Sequence, residues 1–121
     1  IALIDARKGL KMFEKVGVPI LGIVENMSFH ICSNCGNEET IFGSGGASEM
    51  CKDYGVDLLG QLPLDKKIRE QTDSGVPTVI ADRDSQAGIE YQSIAIKTGI
   101  KISALVRQRK SKIPKIVVQN T

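Results

Sequence analysis

Ile20-Leu21-Gly22-Ile23-Val24 is the stretch that decides the fold. It is short, apolar and rich in β-branched residues, with no polar residue at alternate positions. A strand with one wet face alternates; one that does not reads as covered on both faces, as in parallel sheets. Upstream, Ile1 to Val16 places Leu3, Ala6, Leu10 and Phe13 at helical spacing, with Lys8, Lys11 and Lys15 on other faces. Gly17 ends this helix and Pro19 blocks its continuation. Downstream, residues 27–43 are a polar loop containing Cys and Gly, and Ser44 to Tyr54 is a second helix with Ala47, Met50, Cys51 and Tyr54 as its stripe.

Gly55 stops that helix, and Val56 to Leu62 reads as a second buried strand ended by Pro63. Asp65 can cap a short helix through Glu70. Asp73-Ser74-Gly75 is a turn, and Thr78-Val79-Ile80 reads as a third short strand. Asp84 or Ser85 opens a last helix whose stripe runs through Ala87, Tyr91, Ile94, Ala95, Ile102, Leu105 and Val106. Strands alternating with helices predict an α/β fold, a parallel sheet with flanking helices. Two firm strands make a narrow sheet, and the chain opens inside the apolar run Ile1-Ala2-Leu3-Ile4. A further N-terminal half of the same domain is therefore expected, with residues 1–106 as the C-terminal portion.

The 121 residues are 41% hydrophobic and carry a net charge of +2. Residues 1–106 hold 11 basic and 14 acidic side chains, so the basic character resides in residues 107–121, read as a flexible tail. That tail contains Arg107, Arg109, Lys110, Lys112 and Lys115 and no acid. No aromatic residue interleaves these charges, which argues against a specific nucleic-acid partner and for a solvated extension. No apolar run approaches the roughly 20 residues that span a bilayer, so no membrane span is expected. The odd cysteine count excludes a fully paired disulfide framework. With no secretory signal in view, a reducing, cytoplasmic setting is expected, where a close cysteine pair more often binds metal or does redox work.

Cys32-Ser33-Asn34-Cys35-Gly36 is the sharpest chemical feature. Two thiolates at this spacing can share one metal or cluster, because the turn between them aims both sulfurs the same way, and Gly36 lets the backbone turn beneath them. A zinc knuckle needs a second ligand pair, and only His30 and Cys51 are on offer. His30 reads as a solvent-facing loop residue and Cys51 as a small core side chain. A thioredoxin-like pair should open a helix directly after a strand, and this one lies mid-loop. An iron–sulfur cluster takes four thiolates, so two per chain are half a set that a two-fold dimer completes. Spacing alone leaves zinc and iron–sulfur level. Gly43-Ser44-Gly45-Gly46 has the glycines of a phosphate loop, but no Lys follows at the required spacing, which favours a plain helix entry.

Gly22-Ile23-Val24-Glu25-Asn26-Met27-Ser28, followed by Cys32-x-x-Cys35 and then Ile41-Phe42-Gly43-x-Gly45-Gly46-Ala47, closely resembles the Mrp/ApbC family. So do Leu59-Gly60-x-Leu62-Pro63-Leu64-Asp65, Ile68-Arg69-Glu70, Asp73-x-Gly75 and Pro77, and the opening Ala2-Leu3-x-Asp5-Ala6-Arg7-Lys8-Gly9-Leu10-x-Met12-Phe13. The resemblance implies a dimeric P-loop ATPase of the ParA/MinD-like class that carries a [4Fe–4S] cluster and passes it to apo iron–sulfur proteins. It implies that Cys32 and Cys35 of two subunits bridge the cluster in a homodimer. It also implies that Asn26, Pro63 and Asp65 face the adenine of Mg²⁺-bound ATP. The family's phosphate loop, K-G-G-x-G-K-[ST], does not occur between Ile1 and Thr121, so no catalytic position is assigned and the chain alone is expected to be inactive as an ATPase. The alternative is a zinc-stabilised interaction module without catalysis.

Overall fold

A computed structural model describes residues 1–111, with side chains described through residue 109. Helix α1 (Ala2–Lys15) leads to strand β1 (Ile23–Glu25), a hairpin of β2 (His30–Ile31) and β3 (Glu38–Glu39), and helix α2 (Gly46–Tyr54). Strand β4 (Leu58–Gln61), helices α3 (Lys66–Asp73) and α4 (Thr78–Ala81), and the long helix α5 (Gln86–Ser111) follow. β1 and β4 pair in parallel, with Ile23 opposite Leu58 and Glu25 opposite Gln61, and an irregularity after Ile23. α2 is the crossover between them and packs on both strands, while α5 packs on β4 and α1 lies on α2.

Local chemistry explains most of the boundaries. α1 closes where Gly17 turns with φ +72, and Lys15 lies in its last turn, where a cation suits the helix dipole. The Asp65 carboxylate accepts from the Lys67 N–H at 2.8 Å, capping α3. At α5, Ser85 Oγ accepts from the Gly88 N–H at 3.1 Å, so Ser85 rather than Asp84 supplies the cap. α3 runs to Asp73 instead of stopping at Glu70, because an ion pair of Arg69 with Asp73 at 3.1 Å supports its last turn.

The third expected strand is not one. Thr78-Val79-Ile80 begins α4, where the N–H groups of Ile80 and Ala81 both donate to the Pro77 carbonyl. Packing between α3 and α5 overrides the β preference of these branched residues. The loop at residues 27–43 contains the β2–β3 hairpin, with His30 opposite Glu39. α5 carries the first basic residues of the expected tail, Arg107 and Arg109, in helical backbone. Residues 112–121 lie outside the described residues.

The buried apolar side chains are Leu10, Ala47, Met50, Leu59, Leu62 and Ala87, an aliphatic core between the sheet and its helices. Val24 on β1 is exposed, so the described residues do not cover the sheet on both faces as the run at residues 20–24 predicts; Ile4 and Met12 on α1 and Ile96 and Ile100 on α5 are exposed as well. α5 comes close to β4 at Gly60, where an added Cβ would lie 2.5 Å from Ile94 Cγ1. Gly60→Ala should therefore push α5 off β4 and cost about 1–3 kcal/mol of unfolding free energy. Urea denaturation checks this, and Ile94→Val in the same chain should restore part of the loss.

Candidate functional site

The cysteine pair sits on the hairpin turn. The Cys32 N–H donates to the Asn37 carbonyl at 2.9 Å and the Gly36 N–H donates to the Cys32 carbonyl at 2.8 Å. Gly36 takes φ +71, the left-handed conformation that a residue without Cβ adopts at least cost. The turn presents both thiols, Cys32 half-buried and Cys35 exposed, and both are free. Backbone N–H groups of Cys35 and Asn34, then the Cys35 thiol, hold the Cys32 thiol below its ordinary range; His30 contributes in the same direction. Thiolate is the metal-binding form, so this turn prepares Cys32 as a ligand.

His30 is not the solvent-facing loop residue its neighbours suggest. It is half-buried on β2, and its Nδ1–H donates to the Leu64 carbonyl at 2.9 Å. Cys51 is half-buried on α2, where burial first, and then Glu25, push its thiol up. Among the described residues no three His, Cys, Asp or Glu side chains gather as a metal site. A one-chain zinc knuckle built from Cys32, Cys35, His30 and Cys51 is thus not assembled.

Hydrogen bonds continue the β1–β4 pairing past the strands. The Leu62 N–H donates to Glu25 O (2.8 Å), Ser28 N–H to Leu62 O (2.9 Å) and Leu64 N–H to Phe29 O (2.7 Å). This extension lays the Asn26 loop beside Pro63-Leu64-Asp65 at the carboxyl ends of the strands, where ligands bind in such sheets. Asn26 is exposed, and its Oδ1 accepts from the Met27 N–H at 2.9 Å. Met27 holds φ +52, a left-handed conformation costing a non-glycine residue about 1 kcal/mol or more. Asn26 lines a cavity of about 320 Å³ between α1, β1 and α2. Pro63 and Asp65 line a separate one of about 90 Å³ beside α3 and α4. The three residues share an edge of the sheet but not a cavity.

Sequence reasoning passed over Glu25. Its carboxylate accepts from Ser28 Oγ and Gln61 Nε2, both at 2.6 Å, and from the Ala47 N–H at 3.4 Å. One side chain thereby ties the ends of β1 and β4 to the first turn of α2. Burial pushes the Glu25 carboxyl up, but the hydrogen bonds from Ser28, Gln61 and Ala47 outweigh it and leave it below the usual range. An acidic residue closing an otherwise apolar strand was the available signal.

The fold is that of a P-loop NTPase of the ParA/MinD kind. The MinD cell division ATPase of Pyrococcus furiosus superposes with a TM-score of 0.56 at 27% identity, over 85% of this chain and 38% of that one. A nucleotide-binding protein of Archaeoglobus fulgidus, solved in complex with ADP, gives a TM-score of 0.51 at 36% identity, over 58% and 29% of the two chains. Residues 1–98 match the ParA family described as NUBPL iron-transfer P-loop NTPase, and the chain belongs to that family. An iron–sulfur cluster carrier protein of Pseudomonas fragi is 54% identical over 99 residues, 82% of this chain and 34% of the relative. The chain thus spans about a third of the length of that relative.

The thiol environments rank the three cysteines. Limiting iodoacetamide near neutral pH should label Cys32 and Cys35 well before Cys51, because alkylation follows thiolate fraction and access. Peptide mass spectrometry over a time course checks the order, and early Cys51 labelling would contradict it.

Proposed function

We propose that this chain supplies half of an iron–sulfur cluster site and that the cluster is cargo, delivered to apo iron–sulfur proteins. The observation that carries the reading is the hairpin turn with two free thiols, one already favoured as thiolate. A [4Fe–4S] cluster needs four thiolates, and a two-fold homodimer through this turn provides Cys32 and Cys35 from each copy. The family membership and the name of the Pseudomonas relative support iron–sulfur transfer as the task. Free thiols at this turn favour a reducing, cytoplasmic setting.

The nucleotide part of the reading rests on the strand ends. Asn26, Pro63 and Asp65 contact the adenine of Mg²⁺-bound ATP, and the ADP complex of the Archaeoglobus neighbour supports a nucleotide at this fold. Residues 1–106 are then the part of the NTPase domain that follows the phosphate loop, with a basic extension from residue 107. The phosphate-loop Lys and its backbone cradle do not occur in residues 1–121. These parts position the transferred phosphoryl group and neutralise its charge. The chain alone should give no Mg²⁺-dependent ATP turnover above background in a phosphate-release assay.

Anaerobic reconstitution tests the cluster. It should yield about one four-iron cluster per two chains, lost in Cys32→Ser and Cys35→Ser and kept in Cys51→Ser. Iron held by a monomeric Cys35→Ser variant would overturn the reading. A colourless protein with stoichiometric zinc would establish the zinc-stabilised module instead.

A further inference from the structure

The loop that carries the cysteine pair leaves the sheet at Ser28 and returns at α2, and one carboxylate bonds both of its roots. Glu25 accepts from the Ser28 hydroxyl at 2.6 Å at the entry and from the Ala47 N–H at 3.4 Å at the exit. Gln61 Nε2 on β4 donates to the same carboxylate at 2.6 Å and to Ser28 Oγ at 3.0 Å, which closes the three side chains into a ring. Ser28 and Ala47 are both buried, so each root is fixed inside the protein and not at its surface. Three donors converge here, and a carboxylate, which only accepts, has the lone pairs to take them all.

The loop between these roots has little packing to place it. Residues 33–45 are exposed without exception. A cleft of about 430 Å³ is shared by Glu38, Thr40 and Ser44 of the returning chain and by Glu25, Ser28 and Gln61, so the return runs beside open space. The entry has backbone bonds to Leu62 and Leu64 as well, whereas the exit joins α2, whose first turn meets the end of β1 through Glu25. We propose that Glu25 is a positioning residue for the cysteine pair: by bonding both roots it fixes where the hairpin presents Cys32 and Cys35 to the thiols of a second copy. It acts through Ser28 and α2 and not by ligation. The assignment rests on the reading of Cys32 and Cys35 as half of a four-thiolate site. Ligands must be held to about 0.5 Å for such a site, and loss of the groups behind them costs about tenfold or more in metal affinity.

Cobalt(II) is the probe, titrated anaerobically into the whole chain and read by its thiolate-to-metal charge-transfer absorption. The parent should bind about one cobalt per two chains. Glu25→Leu, which fills similar space and accepts no hydrogen bond, should bind about tenfold more weakly. Glu25→Gln keeps an acceptor at this position and should stay within about threefold of the parent. Ser28→Ala removes the entry contact alone and should lose about threefold while melting near the parent temperature; it carries the test if Glu25→Leu does not fold. Parental affinity in Glu25→Leu, or in Ser28→Ala where that variant stands in, would overturn the positioning role and leave the four-thiolate reading intact. Glu25→Gln as weak as Glu25→Leu would also overturn it, because the hydrogen bonds would then not be what places the thiols. A parent chain with no thiolate charge-transfer band would overturn both.

Discussion

The parallel pairing of β1 with β4, prolonged into the loops that follow, is the constraint on which the rest depends. Two short strands contribute few ladder bonds, but the three bonds joining residues 25, 28 and 29 to 62 and 64 extend the pairing beyond the strands. Every candidate ligand-binding residue hangs from that extension. The Asn26 loop leaves its first rung, the hairpin with Cys32 and Cys35 starts immediately after Phe29, and Pro63 to Asp65 leads into α3. Glu25 adds a lateral tie to α2 at the same end. The opposite end is joined differently, by Lys101 of α5 paired with Asp57. One end of the sheet thus concentrates the chemistry and the other is fastened by surface charge.

Packing explains why this end can be so polar. The aliphatic core is small and lies under β4 and α2, and no described large side chain is completely buried. Of the apolar stripe of α1 only Leu10 is buried, and Arg7 adds polar contacts to α2. That guanidinium donates to Asp53 at 2.6 Å and lies 5.8 Å from the Tyr54 ring centre. Partly exposed pairs of this kind contribute little each, about 1 kcal/mol or less. The exposed apolar residues of α1, β1 and α5 are surface of the kind that marks contact with further protein.

Much of this was legible in the residues themselves. The unalternating run at residues 20–24 and Pro63 announced a parallel pair, and the structure has that pair, shortened to Ile23–Glu25 and Leu58–Gln61. Asp65 and Ser85 announced their helices, because capping is read within one turn. Thr78-Val79-Ile80 misled, since the packing that makes it helical comes from α3 and α5, distant in sequence. The β2–β3 hairpin was hidden because two-residue strands show no period. The cysteine spacing was plain, but the N–H groups that favour thiolate at Cys32 depend on turn geometry that no spacing states. The role of Glu25 becomes visible only when separate elements meet.

Ile31 lines the small cavity between α3 and α4, and the next residue is Cys32. A single peptide unit therefore separates the wall of one pocket from a thiol of the cysteine pair, and the His30–Leu64 hydrogen bond anchors that strand to the same wall. The wall of the cavity and the cysteine turn are thus parts of one continuous piece of backbone.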